Sequence, residues 1–216
     1  ISDHPLAPSG VGTQTKYIIN TLLRTGRYKF FCFGGAVKHE SYDQQKITDP
    51  AWDENDWIVQ PVDGYGTAAT VRRVLVEYKP DVLWFMTDPR FYPWLWQIEN
   101  EIRPNVPMIY YHVWDNYPPP KFNAQWYNST DVIASISKVT HDIVSKVAPE
   151  VENHYIPHAV DETVFKKLDK SSIEQFKNDN FSTNRDRTYF FWNNRNARRK
   201  QSGTLIHWFN EFAEKV

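Results

Sequence analysis

Pro8-Ser9-Gly10-Val11-Gly12-Thr13-Gln14-Thr15 is a glycine-containing turn that runs straight into an amphipathic helix. From Thr13 to Arg24 the apolar residues Tyr17, Ile18, Ile19, Leu22 and Leu23 keep a roughly helical spacing, so one face of this segment is expected to be buried. Gly10 and Gly12 carry no Cβ, which would let the backbone take positive φ and a ligand come close. The first amides of a helix have no internal partner and attract negative charge. A phosphate or a sugar hydroxyl beside residues 10–13 would be well placed, although an ordinary helix start with a flexible glycine reads the same stretch equally well. A full dinucleotide fingerprint needs a third glycine where Thr15 stands.

Outward from this turn, strands and helices alternate. Ile1-Ser2-Asp3 reads as the end of a strand, and Thr25-Gly26 closes the first helix. Lys29 to Phe33 is a short apolar run that reads as a buried strand, and Val37 to Asn55 reads as a polar loop. Trp57 to Val62 is a strand, and Ala68 to Tyr78 a helix with Val71, Val74, Leu75 and Tyr78 inward. Val82-Leu83-Trp84-Phe85-Met86 is continuously apolar, as strands covered on both faces of a parallel sheet are. The spacing then predicts a helix over Phe91 to Ile102, a strand over Met108 to Tyr111 and a short helix over Phe122 to Tyr127. A strand over Asp131 to Ile136, a helix over His141 to Val147 and a strand over His154 to Ile156 follow. The alternation predicts an α/β fold: a Rossmann-like parallel sheet with helices on both faces. Such sheets bind ligands beyond the carboxyl ends of their strands.

Residues 161–187 are rich in Lys, Asp, Ser and Asn, a linker composition with a short helix expected near Ser172 to Lys177. Thr188 to Trp192 then reads as a strand, Asn193 to Gln201 as a basic loop and Thr204 to Phe212 as a helix. The expected organisation is a Rossmann-like domain over 1–160, a linker over 161–187, and over 188–216 the first βα unit of a second, truncated domain.

With 25 Lys and Arg against 26 Asp and Glu, the chain lacks the basic excess of a general nucleic-acid binder. Cys32 is the single cysteine, so no intrachain disulfide can form and a reducing, cytoplasmic setting is expected. No run is apolar enough to span a bilayer, which leaves peripheral membrane contact open. Nine tryptophans exceed ordinary usage; most belong in a core, and a surplus of flat rings also suits sugar faces.

Four segments, in this order, resemble the retaining glycosyltransferases of the two-Rossmann-domain type (the GT-B fold), specifically glycosyltransferase family 4. Pro8 to Gly12 resembles the family's glycine loop, with Ser9 where a second glycine is common. Tyr110-Tyr111-His112-Val113-Trp114-Asp115 resembles its strand ending in histidine. Ile156-Pro157-His158-Ala159-Val160-Asp161, with Phe165, resembles the segment leading from the first domain to the second. Asn194-Arg195 and Arg199-Lys200, followed by Leu205-Ile206 and Phe209, resemble the arginine and lysine that hold the donor diphosphate. The family's two glutamates, seven residues apart, have no counterpart here.

The resemblance implies transfer of a hexose from a UDP- or GDP-linked sugar to a hydroxyl of a glycan, lipid or protein acceptor. It implies no covalently bound cofactor, and no metal is expected: Pro157 and the strand pattern remove the helical face that His154 and His158 would need to form a pair. It assigns Arg195 and Lys200 to the leaving diphosphate, His112 to the transferring sugar, and Gly10 and Gly12 to the donor phosphate. Cations there stabilise charge building on the leaving group, Arg as a planar fork and Lys as a point charge. A solvated basic loop is the alternative for that pair. Asp115 is a candidate for an acceptor hydroxyl or a helix cap. Ser137 is a candidate acceptor contact, with a plain cap the simpler reading. Two rivals stay open: a non-catalytic domain that binds a glycan or partner, and a GT-B nucleotide-sugar epimerase.

Overall fold

A computed structural model describes residues 1–114, 116–181 and 188–215. The chain divides into two compact units, Ile1–Asp161 and the residues from Glu162 onward.

In the first unit β1 (Ser2–Asp3) pairs in parallel with β2 (Phe30–Gly35), and β2 with β4 (Trp57–Pro61). A two-residue β3 (Gln45–Lys46) lies antiparallel on the outer edge of β4, within the segment expected to be wholly loop. A second run, β5 (Leu83–Thr87), β6 (Met108–His112), β7 (Val132–Ser135) and β8 (Glu152–Tyr155), is parallel throughout. The Met86 amide donates to the Ile1 carbonyl at 3.0 Å, and the Ile1 nitrogen to the Trp84 carbonyl at 2.7 Å, which stitches β5 to β1. Strand order therefore builds outward from β1 through β2 and β4, then restarts on its other side with β5. Such a reversal, beyond the carboxyl ends of β1 and β5, is where open α/β sheets hold ligands. The fold is α/β and Rossmann-like.

Side-chain parity explains why the strands read as unbroken apolar runs. Phe85, Tyr110 and Ile133 project into the larger core, with Val71 of α2 (Ala68–Glu77), Leu95 of α3 (Pro93–Trp96) and Tyr127 of α5 (Ala124–Asn128). Their neighbours Met86, Tyr111 and Ala134 meet Val11 and Ile18 of α1 (Gly10–Leu23) on the opposite face. Cys32, Trp57 and Val59 extend that second layer under Ile19 and Leu23. Phe85 and Tyr110 stack across β5 and β6 with centroids 4.8 Å apart. Each such fully buried ring contributes on the order of 2–3 kcal/mol of apolar burial. The Trp96 and Trp126 rings are parallel within 7°, 5.5 Å apart, and the Trp96 indole N–H donates to Thr130 Oγ1 at 3.0 Å. Trp57, Trp96 and Trp114 are buried, Trp52, Trp84, Trp94 and Trp126 are half-buried against the core, and Trp192 and Trp208 are exposed.

The helix expected over Phe91 to Ile102 is broken. A 3-10 turn at Pro89–Phe91, α3, and α4 (Glu99–Ile102) replace it. Pro93 lacks the N–H needed to continue the turn into α3, and Tyr92 and Ile98 leave the helical region at φ -118° and -111°. In the second unit α7 (Lys170–Asn180) is longer than the short helix expected, and α8 (Ser202–Ala213) follows the expected pattern. Residues 188–192 form no β-ladder among the described residues, correcting the strand expected there. A strand needs a neighbouring ladder; here Phe190 packs instead on Phe209 and Phe212 of α8, at 5.1 and 5.9 Å.

Burial in the second layer pushes the Cys32 thiol up to about 11, so it stays protonated and inert in the folded chain. Reaction with Ellman's reagent at pH 8 is expected to be at least ~100-fold slower than in denaturant. Equal rates would show that the α1 layer is not closed over β2.

Candidate functional site

The turn that leads into α1 follows β1 directly, at the point where the strand order reverses. Ser9 is the N-cap: its Oγ accepts the Gly12 amide at 2.9 Å and donates to Asp3 Oδ2 at 2.6 Å. Tyr65 donates to the other carboxylate oxygen of Asp3 at 2.8 Å. Asp3, at the end of β1, thus ties the cap to the loop after β4. Burial, with the Asp3 carboxylate adding to it, raises the Tyr65 phenol well above its ordinary range.

Gly10 and Gly12 differ from expectation in how they serve the turn. Neither is among the positive-φ glycines, which are Gly26, Gly64 and Gly66. Gly12 is required for a close approach. A Cβ on it would stand 2.7 Å from the His4 carbonyl oxygen, 3.0 Å from that of Ala7 and 3.1 Å from Ser9 Oγ. Gly10 faces open space. The turn is therefore packed shut against its own backbone at residue 12, while the amides of Gly10 and Val11 precede the first rung of the helix, Thr13 N to Ser9 O.

Beside β1, β5 ends in Thr87, a buried β-branched residue at φ +126° whose carbonyl accepts the Tyr110 hydroxyl at 2.6 Å. A non-glycine residue there is strained, and such strain concentrates at functional sites. Asp88 follows, and its carboxylate grips the Arg90 guanidinium through Nε at 2.9 Å and Nη2 at 2.7 Å.

His112 ends β6 and is fully buried. Its Nε2 lies 2.7 Å from the Tyr127 hydroxyl, which also accepts Asn123 Nδ2 at 3.1 Å, and its Nδ1 finds no partner among the described residues. Burial holds its pKa down to about 3, only weakly opposed by Asp88, so the imidazole is neutral. In this arrangement the ring faces protein on every side, packed against Tyr110 and Trp114. Ser137 caps α6 (Lys138–Val147): its Oγ accepts the Thr140 amide at 3.0 Å. Asp115 lies outside the described residues. Arg195 and Lys200 belong to the second unit, Arg195 exposed in irregular chain and Lys200 closing a 3-10 turn at Arg198–Lys200.

The structure gathers three distant stretches at the carboxyl edge of the first unit. Gln14 on α1 clasps Ala159, donating to its carbonyl at 2.6 Å and accepting its amide at 3.1 Å. Tyr111 donates to the Ile156 carbonyl at 3.0 Å and its ring lies 5.5 Å from that of His158. The glycine turn, the β6 terminus and the 156–161 segment are thereby tied together. Beside them a cleft of about 680 Å³ opens, lined by Arg90, Trp114, Pro119 and, from a 3-10 turn at Lys121–Asn123, Lys121 and Phe122. Arg90, Lys121 and Phe122 escaped sequence reasoning. A continuous apolar run signals a strand, but nothing in its letters says which loop residues lean together. No cluster of three or more metal-ligating side chains stands among the described residues, and no described helix is long and apolar enough to cross a membrane.

Comparison with family models, curated proteins and solved structures finds no match to any of them.

Proposed function

We propose that the chain serves as the acceptor side of a retaining GT-B glycosyltransferase, with a hexose moving from a UDP- or GDP-linked sugar to an acceptor hydroxyl. The observation that carries this reading is the clasp of the 8–15 turn, the β6 terminus and the 156–161 segment at one sheet edge, where Rossmann-like folds bind ligands. Three of the four stretches that resemble family 4 are those three. In this reading the α1 turn meets the donor, and the Arg90–Phe122 cleft takes the acceptor, its aromatic and proline walls suiting a sugar ring and its cations suiting hydroxyls. Arg195 and Lys200, in the second unit, are the residues this reading assigns to the donor diphosphate. The neutral His112 supports the β6 terminus from beneath through Tyr127 and takes no part as a base.

Calorimetric titration with UDP, GDP and ADP tests the reading. One uridine or guanosine diphosphate is expected to bind in preference to ADP, and Arg195→Ala or Lys200→Ala to weaken it about tenfold, the value of a charge-assisted hydrogen bond. Binding of neither UDP nor GDP, together with no transfer from a labelled donor, would sink it. The cleft also favours a second reading, a non-catalytic glycan-binding domain, which would bind oligosaccharide with no response to nucleotide. Turnover of a labelled donor without acceptor would identify an epimerase instead.

A further inference from the structure

We propose that His4 is a positioning residue for the glycine turn and that it holds the turn only while its imidazole is neutral. Its Nδ1 accepts the Leu6 backbone N–H at 3.1 Å, and its carbonyl accepts the Ala7 N–H at 2.8 Å. That same carbonyl is the atom against which Gly12 is packed. Ring and backbone of one residue thus set the path of the chain from the end of β1 to the Ser9 cap.

The ring cannot swing away to relieve a clash. His4 is 8% exposed, and a Cβ on Gly34 would stand 2.5 Å from its Cδ2. An imidazolium carries a hydrogen on both nitrogens. A proton on Nδ1 would therefore turn an acceptor into a donor facing the Leu6 N–H, and the bond would be lost rather than weakened. Of the groups around the ring, Gln45 favours the charged form, and burial outweighs it. From the loop after β2, the His39 ring lies 5.9 Å away, its Nε2 2.7 Å from the Gly34 carbonyl oxygen, and a charge there would repel a second one. From β3, the Gln45 side chain reaches the ring as a neutral partner. Beyond His39, Tyr42 is committed to Asp63 at 2.5 Å, and the neighbouring Asp3 carboxylate is taken by Ser9 and Tyr65.

Burial, with His39 adding to it against the Gln45 contact, holds the His4 pKa below its ordinary value. The folded turn therefore binds its proton more weakly than the open turn does. Its contribution is whole above the ordinary histidine pKa, about 6.5, and fades as pH falls below it. The inference stands on the turn itself, so it holds whether or not that turn meets a nucleotide sugar.

Nuclear magnetic resonance on the whole chain tests it. Long-range imidazole correlations are expected to show the Nε2–H tautomer of His4. Protection of the Leu6 amide from hydrogen exchange, corrected for intrinsic rate, is expected to fall between pH 7.5 and 5.0 by about tenfold per unit of pKa depression. His4→Asn places a non-titrating oxygen near Nδ1, so protection should persist and lose its pH dependence. His4→Phe keeps a ring against Gly34 and removes the acceptor, so protection should be low throughout. An Nδ1–H tautomer, protection in the wild type that does not change with pH, or the same acid loss in His4→Asn would each overturn the proposal. If His4→Asn does not fold, the tautomer and the wild-type profile decide.

Discussion

Gly12→Ala is expected to destabilise the first unit by about 3 kcal/mol, at the upper end of overpacking costs, whereas Gly10→Ala, two residues away, is expected to be neutral or slightly stabilising. The contrast comes from what each new methyl would meet. At residue 12 the nearest atoms are the carbonyl oxygens of His4 and Ala7, at 2.7 and 3.0 Å, and backbone atoms cannot rotate aside as a side chain would. Moving the His4 carbonyl breaks its bond from Ala7, and moving Ser9 Oγ, 3.1 Å away, breaks the cap and its link to Asp3. At residue 10 nothing lies within 4 Å, and alanine in a helical turn has less conformational freedom to lose than glycine. Urea unfolding of the two variants measures the difference. Equal midpoints would mean that the turn is loosely packed, and that the close approach at Gly12 does not hold in solution.

The second large effect is acid sensitivity set by His112. In the folded chain its pKa is held down to about 3, against an ordinary value of 6.5, and the cause is burial. The unfolded chain therefore takes up a proton that the folded chain refuses. Stability from this group is complete above pH 6.5 and drains away as pH falls toward 3, by on the order of 3–5 kcal/mol across the whole window. His112→Leu removes the titration. At pH 7.5 it should cost about 1–2 kcal/mol for the lost Tyr127 contact, while Asn123 still serves the Tyr127 hydroxyl at 3.1 Å. Below pH 5 the variant should become the more stable of the two. Parallel stability-against-pH curves for wild type and variant would show that His112 is charged, or exposed, in the folded state.

Much of the architecture was legible because it rests on periodicity. The apolar runs Leu83–Thr87 and Met108–His112, with helices between strands, can hardly pack except as a parallel sheet covered on both faces. The breaks came where tertiary contacts overrode local pattern. Trp94 and Leu95 fit a long helix, yet Pro93 and the turns at Tyr92 and Ile98 cut it into pieces that let Tyr92, Leu95 and Trp96 all reach the core. Residues 188–192 have strand composition, but composition cannot supply a neighbour. At the site, the letters mark the glycine turn but not its cause, since residue 12 needs glycine for contact with its own backbone rather than for φ. The Gln14–Ala159 clasp spans 145 positions and has no local signal at all.

The stacked indoles of Trp96 and Trp126 have a consequence for how this protein can be watched. Two such chromophores, parallel within 7° and 5.5 Å apart, couple their ultraviolet transitions. Trp126 is followed directly by Tyr127, the partner of His112, so lifting α5 off the sheet would uncouple the pair. Circular dichroism in the indole band therefore reports the seating of one short helix at the β6 terminus without any added label.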